Sequence, residues 1–174
     1  MFYCRGPMWY RACWSFDHVG ILALWYARAL AEGYVMMWCH RDTFTIWVMA
    51  SSLVFAAAGT FIVRHDTTSP FLALYAFIHV PMAYAAASTG FWSAAGAPLR
   101  HGVLVSLAGS MCGVVGYAIM QARVPESLLP GKFDIWGHSH QWWHILTIVG
   151  PLICQYAGRE LLSFRLDSNS FCTI

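Results

Sequence analysis

"GVLVSLAGSMCGVVGYAIMQ" occupies residues 102–121 and carries no charged side chain. Wound as an α-helix at 1.5 Å per residue, it is about 30 Å long, the thickness of a bilayer's hydrocarbon core. Working outward, similar runs lie at about 18–39, ending before "HRD", and at about 43–63, ending at "RHDTTSP". A third starts at Phe71 and fades near Gly90, and the last covers about 138–156. The pattern predicts an all-α integral membrane protein with about five transmembrane helices. It forms a single transmembrane domain over 1–174, with 1–17 as an interfacial segment, 18–156 as the helices and 157–174 as a polar tail. Pro81 makes the third run the least regular, which transmembrane helices tolerate. Gly109, Gly113 and Gly116 on the fourth run read as close-packing positions.

Composition agrees. Of 174 residues, 59% are hydrophobic and 10% charged, with nine tryptophans and eight tyrosines to seat both lipid–water interfaces. Mean hydropathy is +0.54. The ten Lys and Arg residues stand singly, so there is no basic stripe for nucleic acid and no polybasic patch. Membrane lipid is the expected partner, and nucleic acid is excluded. The six cysteines show no CxxC spacing, and most sit in or beside apolar runs as small hydrophobes. Cys172 is third from the end and misses the prenylation pattern. The opening "MFYCRGPMWYRACWSFD" lacks the apolar core of a signal peptide and reads as an interfacial segment or the cut end of a longer chain.

Four crossings separate the start of the first run from the start of the fifth. Four is even, so Asp17 and the "GHSHQWWHI" stretch at 137–145 belong on one side of the membrane. Orientation is undecided, because Arg5, Arg11, Arg64, Arg123 and Lys132 on that side balance Arg41, Arg100, Arg159 and Arg165 on the other. The one long connection, "ARVPESLLPGKFDIWG" at 122–137, is broken by Pro125, Pro130 and Gly131.

His140 and His144 are four residues apart, so a helix sets them on one face with Cβ atoms roughly 6 Å apart. Two imidazoles can converge on one ion there, but catalytic zinc typically takes three protein ligands and a water. Asp17 supplies an oxygen on the correct side, either for proton handling or, equally, as a helix N-cap. His138 points about 200° away from His140, which suits capping or support better than ligation. Trp142 and Trp143 read as interfacial belt residues. Arg28 and Glu32, four apart in the first run, can pair and face the bundle interior. Ser51, Ser52, His79, Ser106 and Ser110 read as interhelical hydrogen-bonding residues. A bis-histidine haem would need histidines at matched depth on different helices, and His79 is the one mid-run candidate.

The stretch "ARVPESLLPGKFDIWGHSHQWWHIL", 122–146, resembles the last connection and seventh helix of the progestin and adipoQ receptor family, which includes adiponectin receptors and haemolysin III relatives. There an "ARxPE…PGKFD" loop leads into "SHQ" and a second histidine, here Ser139, His140, Gln141 and His144. "SFDHVGI" at 15–21 resembles the start of the family's third helix. The resemblance implies an intramembrane zinc on three histidines, two in the last helix and one in the second, with an aspartate and a serine near its water. His140 and His144 match the last-helix ligands, and Asp17 matches the aspartate. "FYC" at 2–4 resembles the "YC" that follows the family's SxxxH, so a gapless match sets the third histidine just before Met1. The chain thus resembles helices three to seven of seven. His18 is the nearest substitute in sequence.

Two activities follow from the resemblance. One is a zinc-dependent lipid amide (ceramide) hydrolase in which Asp17 handles the proton. The other is a signalling receptor for a lipid or peptide-hormone ligand, with zinc stapling its helices. An inactive fragment lacking the third ligand is the remaining alternative.

Overall fold

A computed structural model describes residues 6–65, 75, 77–87, 97–133 and 135–167. Among them are five α-helices: α1 Pro7–Met36, α2 Arg41–His65, α3 Val80–Ala87, α4 Ala97–Ala122 and α5 Ser139–Asp167. The fold is all-helical, as the apolar runs predict. Of the third run, residues 71–74, 76 and 88–90 lie outside the described residues.

Local chemistry sets the helix ends. α1 begins with proline in its first turn, where a missing N–H is harmless. α2 carries Asp42 in its first turn and Arg64 in its last, charges that complement the helix dipole. α5 carries Pro151 in its interior, which removes one donor without ending the helix. Both α1 and α5 extend past their apolar runs, α1 upstream to Pro7 and α5 downstream to Asp167.

Among the described residues, two helices, α2 and α4, are long and apolar enough to cross a membrane by length and composition alone. Only 22% and 33% of their most apolar stretches are buried within the chain, which suits lipid-facing helices better than the core of a soluble domain. Their exposed side chains fall at helical spacing: Ile46, Met49 and Leu53 on α2, Leu104, Met111 and Val115 on α4. α1 and α5 are less apolar because Arg28 and Glu32, and Arg159 and Glu160, interrupt them.

The closest helix packing joins α4 to α5. A Cβ on Gly150 would stand 2.6 Å from the Gly109 carbonyl oxygen, and one on Gly109 would stand 2.7 Å from the Gly150 carbonyl oxygen. The two backbones touch there, which only glycine permits. Gly113 likewise admits the Trp25 ring, and Gly116 meets Trp143 and Leu146, so the close-packing reading of all three glycines holds. One apolar cluster centres on Leu22, Trp25, Trp47, Ile62, Ile78 and Trp143; a second, at the other end of α1, joins Val35 and Met36 to Leu99, Val103 and Leu161.

Candidate metal centre

Asp17 lies within α1 rather than at its start, so the N-cap alternative is withdrawn: α1 begins ten residues earlier, at Pro7. The helix aims its carboxylate at the first two turns of α5. His140 Nε2 stands 3.0 Å from Asp17 Oδ2, and His144 Nε2 stands 3.4 Å from Asp17 Oδ1. Without an ion, the His140 imidazole N–H donates to the carboxylate. The three ligand atoms all lie within 4.8 Å of one another, and among the described residues this is the one such cluster of His, Cys, Asp or Glu. The even crossing number had put these residues on one side of the membrane, and the structure brings them into contact.

The donor set suits zinc. With ligand bonds near 2.0–2.1 Å, neighbouring atoms of a tetrahedral site stand about 3.3 Å apart, and the two imidazole nitrogens lie close to that spacing, at 3.0 and 3.4 Å, each from a different oxygen of Asp17. Two imidazoles and a carboxylate are also a combination used by catalytic zinc sites, which keep an open position. The side chains are about one-third exposed, at 31% for Asp17, 37% for His140 and 35% for His144. Such a site is reachable from outside, and exposed Phe16 and Trp142 flank it in sequence.

His18 does not join the cluster. Its Nδ1–H donates to the Trp14 carbonyl at 2.8 Å, and the ring stacks on Trp14 with centroids 3.8 Å apart. It is buried and packs the floor of the site, 5.1 Å from the Trp143 ring. Trp142 is exposed, as a belt residue should be, but Trp143 is not: it is 1% exposed. Its ring lies 5.4 Å from His140 and 5.6 Å from His144, so it walls the site on the bundle side. Adjacent helical residues are about 100° apart, so of two neighbouring tryptophans one faces lipid and the other the bundle.

His138 caps α5 through its backbone, its carbonyl accepting from the N–H groups of Gln141 and Trp142 at 3.0 and 3.3 Å. The connection is tied down twice. Glu126 accepts from the Ser139 N–H at 2.8 Å and from the Ser139 hydroxyl, while Gln141 accepts from the Gly137 N–H at 2.6 Å and donates to the Ile135 carbonyl at 3.2 Å. Slight burial pushes the Glu126 carboxyl up, but the Ser139 hydrogen bonds outweigh it and leave it below its ordinary value. Gly137 sits at φ +77, a conformation glycine adopts without strain.

A second polar cluster lies deeper. Arg28 pairs with Glu32 at 3.3 Å and donates to Ser110 at 3.0 Å and to Cys154 Sγ at 2.7 Å. Ser106 donates to Glu32 at 2.9 Å, and the Trp25 ring lies 5.0 Å from the guanidinium carbon. The Arg28–Glu32 pair faces inward, as its spacing suggests, and Ser106 and Ser110 bond across helices. Cys154 had carried no signal beyond small-hydrophobe packing. On α2, Ser51 and Ser52 meet the Tyr26 hydroxyl at 3.1 and 2.8 Å. The His79 Nδ1–H donates to the Tyr75 carbonyl at 2.6 Å, a bond within its own segment.

Comparison with known proteins gives a consistent answer. Residues 1–156 match the family described as haemolysin-III related. The chain is 28% identical over 167 residues to the rice (Oryza sativa subsp. japonica) heptahelical transmembrane protein ADIPOR2, a match spanning 92% of this chain and 72% of that one. Shorter stretches are 44% identical to the ADIPOR-like receptor IZH2 of Saccharomyces cerevisiae over 66 residues, and 41% identical to the adiponectin receptor protein of Drosophila melanogaster over 61. These two cover 36% and 35% of this chain, and only 20% and 14% of the relatives' own length.

Proposed function

The chain belongs to the haemolysin-III related family of multi-pass membrane proteins, which includes receptor-like members, and from that premise we propose that Asp17, His140 and His144 hold a zinc ion that serves hydrolysis of a lipid amide of the ceramide class. The observation that carries this reading is the convergence of two imidazole nitrogens on one carboxylate across α1 and α5. His140 and His144 would bind through Nε2. Asp17 would complete the set with one oxygen and keep the other for the proton released as water adds to the amide carbonyl. Zinc supplies Lewis acidity, which polarises a carbonyl and brings water's ionisation toward neutral pH. Trp143 closes the bundle side and keeps the imidazoles facing outward. The flanking exposed rings suit the headgroup level, where a ceramide amide lies.

The test is release of free fatty acid from ceramide by purified, zinc-loaded protein in detergent. Asp17→Asn should abolish turnover by at least 10²-fold, the scale of a lost general base. No turnover at any zinc level would sink the hydrolase reading. A second reading rests on the triad's joining two helices: zinc then acts as a staple in a receptor, raising thermal stability without turnover.

A further inference from the structure

The "ARVPE…SHQ" stretch carries more than resemblance. Ser139 opens α5 and is buried, and its N–H belongs to a first turn in which such groups have no partner within the helix. Glu126, thirteen residues earlier, reaches across the connection and engages both the N–H and the hydroxyl, one with each carboxylate oxygen. A carboxylate at a helix N-terminus also suits the dipole. His140 is the next residue, in that same first turn, and its imidazole meets Asp17 at 3.0 Å. His144 lies one full turn deeper and depends on the clamp less.

From this we infer that Glu126 is a positioning residue for the candidate metal centre: by pinning Ser139 it holds His140 opposite Asp17. Gln141 supports the same turn from its other side through Gly137 and Ile135. The inference rests on the zinc reading for its consequence but not for its geometry. Removing the clamp should fray the first turn, withdrawing one of the two imidazoles.

The experiment uses the full chain in detergent with two readouts. Zinc affinity by competition against a chromophoric chelator should fall 10- to 100-fold in Glu126→Ala, the usual effect of losing a residue that orients a ligand. Glu126→Gln, which keeps one acceptor, should recover most of it. In metal-free protein, ¹⁵N imidazole spectra should show the His140 signal moving toward free histidine in Glu126→Ala while the His144 signal stays. Ser139→Ala keeps the N–H bond and should fall between wild type and Glu126→Ala, which holds the test open if Glu126→Ala does not fold. A cap that only stabilises the helix would lower the melting temperature and leave affinity and the His140 spectrum unchanged below it, and that result overturns the inference. If wild-type protein binds no zinc, the zinc reading falls, and the His140 spectrum alone decides whether Glu126 positions it.

Discussion

Two polar clusters join α1 to α5, and they are built on opposite terms. The inner one is buried and supplies its own counter-charges: Arg28 faces Glu32, Ser110 and Cys154, and Ser106 faces Glu32. The outer one is one-third exposed and gathers two imidazole nitrogens around a single carboxylate, with no arginine or lysine among the three. A cluster whose charges are matched internally holds helices together. A cluster of two imidazoles and a carboxylate at an accessible helix end offers potential ligands to an ion from outside. The same helix pair thus separates scaffold from candidate chemistry by depth.

The sharpest way to break this contrast is at Arg28. Arg28→Leu leaves Glu32 buried without its cation and should cost about 3–5 kcal/mol, read as a collapse of thermal stability in detergent. Replacing Arg28 and Glu32 together by leucine should recover most of that loss; if it does not, the inner cluster is more than a scaffold. Next is the backbone contact that sets the helix spacing. Gly109→Ala drives a methyl into the Gly150 carbonyl and should cost about 1–3 kcal/mol by the same measurement.

The outer cluster should behave differently. Asp17→Asn should change metal-free stability by no more than about 1 kcal/mol, as expected for a partly exposed pair. It should nevertheless weaken zinc binding by at least tenfold in a chelator competition. A large loss of metal-free stability would erase the contrast.

The smallest effect concerns acid. The Glu126 carboxyl is held below its ordinary value of 4.5 in the folded chain. Its contribution is therefore fully present above that value and is lost as pH falls through the lower folded value. Amide hydrogen exchange at Ser139 should rise across that window in wild type, and Glu126→Gln should flatten the change.

Much of the architecture was legible along the chain. Apolar runs about 20 residues long specify membrane helices because an unpaired backbone in lipid is so costly. Spacing alone set Arg28 with Glu32 and His140 with His144. The helix ends were less legible: α1 and α5 continue beyond their apolar runs, since a helix can leave the hydrocarbon and keep its backbone bonded. That is why Asp17 falls inside a helix instead of capping one.

What the sequence determined by itself is local and periodic: the helices, the shared face of the two histidines, and the family. What only the tertiary structure decided is which atoms touch across helices. Linear order contains no sign that Trp143 turns inward while Trp142 faces out, that Cys154 stands against Arg28, or that Glu126 reaches Ser139. Those contacts depend on helix rotation and separation, set by packing of the whole bundle around the Gly109–Gly150 crossing.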